Sequence, residues 1–183
     1  MTTGRSVSGE GADLLRSIGA AGRSFLVHAR PRNAGKSTLT NAIVAEAPAD
    51  LPRTDFFGTE QEVAQLSVAP TRGYLVVAEI GHRGRPGYLA GEEVPRIFAL
   101  LADGYALASN LHADTVPELF EVLEQNGVSR QTAAELVPYA IKVRALGDPE
   151  QADTRRIVEQ IHEISLAPNG EPTWSLRYQA SDL

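Results

Sequence analysis

Ala29-Arg30-Pro31-Arg32-Asn33-Ala34-Gly35-Lys36-Ser37-Thr38 follows the short apolar run Ser24-Phe25-Leu26-Val27-His28 and leads into a helix-forming stretch, Lys36 to Ala47, closed by Pro48. A strand, a tight loop and a helix opening on Gly-Lys-Ser form the setting in which backbone N–H groups cradle phosphate oxygens. The lysine adds a mobile positive charge and the hydroxyl reaches magnesium. Pro31, Arg32, Asn33, Ala34, Gly35, Lys36, Ser37 and Thr38 are therefore candidates for holding a nucleoside triphosphate. Arg30 stands where such a loop has its first glycine. Its side chain either crowds the cradle, reaches outward or assists a phosphate by charge. Asn33 suits the bend, because asparagine is among the few non-glycine residues that tolerate positive φ. The plain alternative is a surface turn before a helix, carrying an ordinary exposed lysine.

Outward from this loop, strand-like and helix-like segments alternate. Upstream, residues 1–10 are rich in Gly, Ser and Thr and read as a flexible tail, leaving 11–183 as a single domain. Leu14, Leu15 and Ile18 are spaced as on a helix over Gly11–Ala21, with Gly22 as its stop. Downstream, Pro48, Pro52, Gly58, Pro70 and Gly73 interrupt the chain around a modest helical stretch at Thr59–Leu66. Tyr74-Leu75-Val76-Val77-Ala78-Glu79 is a nearly continuous apolar run, the pattern of a strand buried on both faces. A Gly/Arg-rich loop from His82 to Gly91 precedes a helix over Glu92–Ala102, in whose first turn Pro95 is tolerated. Tyr105–Leu111 is another buried strand, and Val116–Gln125 and Arg130–Val137 read as helices. Ala140–Leu146, Arg156–Leu166 and Thr173–Tyr178 are β-type, the last two making a hairpin across Pro168-Asn169-Gly170. The expected class is α/β, a sandwich on a largely parallel sheet.

Two strand ends add candidates. Glu79 closes a buried strand, where open α/β sheets bind ligands, and could hold magnesium or polarise an attacking water. His112 closes Tyr105–Leu111 and either contacts a terminal phosphate or serves as a structural hydrogen-bonder. Arg83 and Arg85 are conceivable phosphate contacts, though a solvated basic loop explains them as well. His28, His82 and His162 show no metal-ligand spacing with carboxylates. Asp55-Phe56-Phe57-Gly58 imitates the Asp-x-x-Gly of GTPases, but no apolar strand leads into it and no guanine-reading Asn-Lys-x-Asp follows.

Composition sets the outer limits. The 183 residues suffice for a sizeable core without covalent staples. Seventeen basic against 23 acidic side chains give a net charge of −6, which argues against non-specific gripping of nucleic acid. There is no cysteine, so disulfides and thiolate metal sites are excluded. No apolar run approaches the length of a membrane span, and Met1-Thr2-Thr3-Gly4 begins nothing like a signal peptide, so a cytoplasmic location is expected.

Together these segments resemble the ATPase domain of the type II/type IV secretion and type IV pilus motor family. Arg30-Pro31-Arg32-Asn33-Ala34-Gly35-Lys36-Ser37 aligns with that family's Gly-Pro-Thr-Gly-Ser-Gly-Lys-Thr at Pro31, Gly35 and Lys36, and conservatively at Ser37. Tyr74-Leu75-Val76-Val77-Ala78-Glu79-Ile80 resembles its atypical Walker B strand, which ends Gly-Glu-Ile. Ala108-Ser109-Asn110-Leu111-His112-Ala113-Asp114 resembles its histidine box, Leu-Ser-Thr-Leu-His-Ala, the most specific part of the match. The helix from Ala12 and the closing hairpin from Arg155 fall in the family's order.

The resemblance implies a P-loop NTPase three-layer sandwich, RecA-like, with a mostly parallel sheet and a C-terminal β-hairpin. It implies ATP and Mg2+ as cofactors, Lys36, Glu79 and His112 as catalytic residues, and Ser37 and Glu79 at the metal. It further implies a homo-oligomer, such as a hexamer, working with membrane-associated secretion or pilus assembly proteins at the inner face of the membrane. Arg30 and Asn33 replace loop glycines, Gly81 stands where the family has arginine, and no aspartate box is evident between 48 and 70, although Asp55, Glu60 and Glu62 lie there. The N-terminal domain with which those motors close a hexamer has no counterpart in these residues, as in a minimal relative. An ATPase is the first expectation. A non-catalytic nucleotide-sensing or assembly module is the second, and a small metabolite kinase, for which no Arg-rich lid is evident, the third.

Overall fold

In the computed structural model, which describes residues 7–81 and 87–181, the expected elements form around one mixed sheet. They follow in the order α1 (Gly9–Ala20), β1 (Phe25–His28), α2 (Lys36–Ala45), β2 (Arg53–Asp55), α3 (Glu60–Ser67), β3 (Tyr74–Ile80) and β4 (Tyr88–Leu89). Then come α4 (Glu93–Ala102), β5 (Ala106–Leu111), α5 (Val116–Gln125), α6 (Arg130–Leu136), β6 (Tyr139–Leu146), β7 (Arg155–Leu166) and β8 (Pro172–Gln179). Helix α1 begins at Gly9, so Gly9 and Glu10 are helical and not part of a tail; residues 1–6 of the expected tail lie outside the described residues. His82, Arg83 and Arg85 also lie outside them.

The strands run β2-β3-β5-β1-β6-β7-β8, with β4 beside the far end of β3. Pairings from β2 through β6 are parallel, as is β4 on β3, whereas β6–β7 and β7–β8 are antiparallel. The expected closing hairpin is present and is one half of an antiparallel meander. β2 and β4 were not expected: three polar residues and a two-residue bridge carry no hydrophobic period to reveal them.

Alternating residues along the strands enter two apolar clusters. Phe25 and Val27 join Leu15, Ile18, Ile43 and Val44 of α1 and α2, whereas Leu26, Leu75 and Val77 join Ile97, Phe98, Leu119 and Phe120 of α4 and α5. Period-two alternation sends these strand residues to opposite faces of the sheet. Helix α1 crosses α2 at Gly19, where an added Cβ would stand 2.2 Å from the Ile43 carbonyl oxygen. Helix ends are set locally: Thr59 and Glu62 form a capping box on α3, Thr115 caps α5 and Ser129 caps α6. No helix among the described residues is long and apolar enough to cross a membrane.

The last residue of β1, His28, is buried beneath the phosphate-loop candidate, its Nδ1 3.2 Å from the Ala113 carbonyl oxygen. Burial pushes it down to about 4, Lys142 and His162 add to the depression, and Ala113 and Asp114 oppose it. The folded state therefore disfavours the imidazolium, while the unfolded chain takes up this proton near 6.5. Stability from His28 is present in full above that value and is lost as pH falls toward 4. The loss amounts to about 3 kcal/mol. Urea unfolding at pH 7, 5.5 and 4 is expected to show it, with His28→Leu flattening the acid limb by a similar amount.

Candidate functional site

Three neighbouring parallel strands end at one edge of the sheet. His28 of β1 lies beside Leu111 of β5, and Leu111 beside Ile80 of β3. The loop after β1, the end of β3 and the residue after β5 therefore converge, at the edge where open α/β sheets bind ligands. A cleft of about 820 Å3 there is lined by Arg32 through Thr38 together with Glu79 and His112. Of the loop and strand-end candidates all but Pro31 line this cleft, and Arg83 and Arg85 lie outside the described residues.

The loop has the required backbone. Asn33 takes φ 56, the positive angle expected of it. Gly35 takes φ 97 as the N-cap of α2, and a Cβ there would lie 3.1 Å from Arg156 Cδ, so both conformation and space favour glycine. Arg30 turns away from the cradle: its Nη2 donates to Glu118 Oε1 at 2.8 Å on the flank of α5, and its side chain is 69% exposed. The residue that replaces the first glycine leaves the phosphate side of the loop clear.

Lys36 is buried, and its Nζ donates to the Ala29 carbonyl oxygen at a long 3.4 Å. Burial pushes its ammonium below the ordinary lysine range, Glu79 draws it back up, and Arg32 lowers it further. Glu79 is 4% exposed. The β3–β5 register slips between Val77 and Ile80, a bulge that lets Ile80 return to the core and re-aims the carboxylate just before it. His112 Nε2 approaches Glu79 Oε1 at 2.8 Å, an ion-pair contact without aligned hydrogen-bond geometry. Its Nδ1 is 2.8 Å from the Arg30 carbonyl oxygen, which can only accept, so Nδ1 carries a proton. His112 thereby ties the Walker B-like strand end to the loop at Arg30.

Asn110 is the polar residue that sequence reasoning assigned no role. Fully inside the protein on β5, it accepts from Thr40 Oγ1 at 2.7 Å and donates to Ser37 Oγ at 3.3 Å and to the Ala78 carbonyl oxygen at 2.7 Å. A single side chain thus spans α2, β5 and the β3 bulge. Its signal was an asparagine, next to Ser109, inside a buried strand, where a polar group needs a complete set of partners. Asn110→Leu is expected to lower stability by about 2–4 kcal/mol, because it strands a buried carbonyl and hydroxyl; a melting curve checks this. Asp55, at the end of β2, lines a small cavity of about 260 Å3 with Ser37, Asn41, Ala78 and Asn110. That places one acidic residue of the 48–70 region on the same cavity as the candidate metal hydroxyl.

Beyond Gly35 a second pocket, about 780 Å3, opens between α2 and the β6–β7 strands, with Leu39, Ala42, Val143 and Val158 among its lining. It shares Ala34, Gly35, Thr38 and Arg156 with the first cleft.

Among solved structures, the chain is similar to the VirB11 ATPase of the Brucella suis type IV secretion system, determined in complex with sulphate. The TM-score is 0.64 at 17% identity, covering 89% of this chain and 54% of that one. It is also similar to the Legionella pneumophila ATPase DotB, with a TM-score of 0.57 at 14% identity over 86% of this chain and 50% of that one. The chain spans about half the length of these structures. No family model and no curated protein sequence matches it. The likeness is one of fold: a mixed α/β architecture with a mostly parallel sheet.

Proposed function

We propose that this chain is a P-loop ATPase of the secretion and pilus motor type, a three-layer RecA-like domain that binds magnesium-ATP where β1, β3 and β5 end. The observation that carries this reading is the convergence of Lys36, Ser37, Glu79 and His112 on one cleft from three separate strand ends. Lys36 neutralises the β- and γ-phosphates, the loop N–H groups from Asn33 to Thr38 cradle them, and His112 contacts the γ-phosphate. Glu79 orients the attacking water. The base takes the mixed polar and apolar pocket beyond Gly35, which shares lining residues with the phosphate cleft.

The donor set suits magnesium, which prefers hard oxygen ligands. Ser37 Oγ accepts from Asn110 and keeps a lone pair for a cation; Ser37 lines one cleft with Glu79 and a smaller cavity with Asp55. Bound magnesium would supply charge neutralisation at the leaving phosphate. Sites completed between copies would make the protein a homo-oligomer, such as a hexamer, acting with secretion or pilus assembly proteins at the inner face of the membrane. Calorimetric titration with ATP and magnesium tests the binding step directly; no heat of binding from folded protein would overturn the reading.

A second reading, a nucleotide-sensing or assembly module without turnover, is favoured by one contact: Glu79 is already engaged by His112 at 2.8 Å. A phosphate-release assay separates the two. A magnesium-dependent signal no greater than that of Lys36→Ala would favour the module.

A further inference from the structure

The β6–β7 connection brings a carboxylate to the mouth of the phosphate cleft. Glu150, exposed, lines that cleft with Pro149 and Arg156. Both its oxygens lie 3.1 Å from Nδ2 of Asn33, the residue that holds the positive-φ bend. Arg156 keeps the connection against the loop: its Nε donates to the Asn33 carbonyl oxygen at 2.7 Å, Nη1 to Thr154 O at 2.8 Å and Nη2 to Pro149 O at 3.0 Å. Asn33 is therefore held at its carbonyl and at its side-chain amide by one neighbouring segment.

A loop glycine at this position would offer only its backbone N–H. Asparagine adds a side-chain N–H2, a donor suited to an anion at the cleft mouth. The contact with a neutral amide leaves the charge of Glu150 uncancelled, close to where a triphosphate must bring several negative charges of its own. We propose that Glu150 is a built-in competitor for the phosphate chain: it occupies the Asn33 amide when the cleft is empty, and an incoming triphosphate takes that donor by displacing it. Glu150 then sets the affinity of the site, while Arg156 keeps the β6–β7 connection on the Asn33 carbonyl oxygen. This inference rests on the nucleotide reading above.

The experiment is calorimetry with magnesium and a non-hydrolysable ATP analogue on four proteins: the unaltered chain, Glu150→Ala, Asn33→Gly and the double variant. Glycine keeps the backbone bend accessible at position 33, and Glu150 is exposed, so each variant is expected to melt close to the unaltered chain. Glu150→Ala is expected to bind about five- to tenfold tighter at low ionic strength, as removal of one nearby charge predicts. The gain should shrink at high salt. In the Asn33→Gly background the same change should gain less than about twofold. Equal affinity of the unaltered chain and Glu150→Ala overturns the inference and leaves the nucleotide reading standing. A gain undiminished by Asn33→Gly also overturns it, because Glu150 would then act only as a distant charge. Absence of binding by all four folded proteins overturns the inference and the nucleotide reading together.

Discussion

Lys36→Ala is expected to weaken magnesium-ATP binding at least about 100-fold, the loss of two charge-assisted hydrogen bonds to phosphate. The residue is 7% exposed, and among the described residues its ammonium makes one hydrogen bond, at 3.4 Å. Burial disfavours its charge, and the Glu79 carboxylate is the group that sustains it. A cation so placed gains most from an anion of high charge in the cleft, and alanine offers that anion nothing. The fold should survive, because the substitution removes a partly desolvated charge and no core contact; melting within a few degrees of the unaltered protein is expected. Lys36→Arg should not restore affinity, since the wider guanidinium does not fit a pocket shaped for an ammonium against Ala29. Calorimetry on the three proteins reads the effect. Retained binding by folded Lys36→Ala would mean that the loop is an ordinary turn before a helix.

Much of this site could be read before the structure because its parts announce themselves locally. The Gly35-Lys36-Ser37 string sits between an apolar run and a helix, and each later strand ends on a residue able to do chemistry, Glu79 and then His112. Parallel strands put those ends on one edge, so naming the strands was enough to bring the residues together. What stayed hidden depends on pairing between distant segments. The bulge that re-aims Glu79 exists only in the register of β3 against β5, and apolar periodicity alone reads Tyr74–Glu79 as a plain strand. The outward turn of Arg30 depends on Glu118, 88 residues along the chain, and the grip on Asn33 depends on Glu150 and Arg156, more than 100 residues away. Asp55 was visible as an acid, but its place on one cavity with Ser37 follows from a three-residue strand with no hydrophobic signal. Local chemistry was legible, and the contacts that tune it were not.

Glu79→Gln is expected to leave nucleotide affinity within about threefold of the unaltered protein, or slightly tighter, while lowering turnover by about 10²–10⁴-fold, the usual worth of a positioned general base. The two effects divide because the side chain serves different terms in each. In binding, the Glu79 charge repels the phosphates but supports Lys36 and a magnesium ion, so its neutral isostere changes affinity little. In hydrolysis, the carboxylate must hold and polarise a water, and an amide keeps the shape without the basicity. The contact between Glu79 and His112 adds a constraint: Nδ1 of His112 is committed to the Arg30 carbonyl oxygen, so any proton exchanged with Glu79 must pass through Nε2. Turnover therefore requires the pair to separate or to share its proton once a γ-phosphate draws on the imidazole. Glutamine abolishes that exchange while preserving the contact distance. Phosphate release measured alongside calorimetry gives both numbers on one preparation. If Glu79→Gln matched the unaltered protein in turnover, Glu79 would not be the catalytic carboxylate. If neither exceeded Lys36→Ala, the Glu79–His112 pair would belong to a site that binds nucleotide without cleaving it.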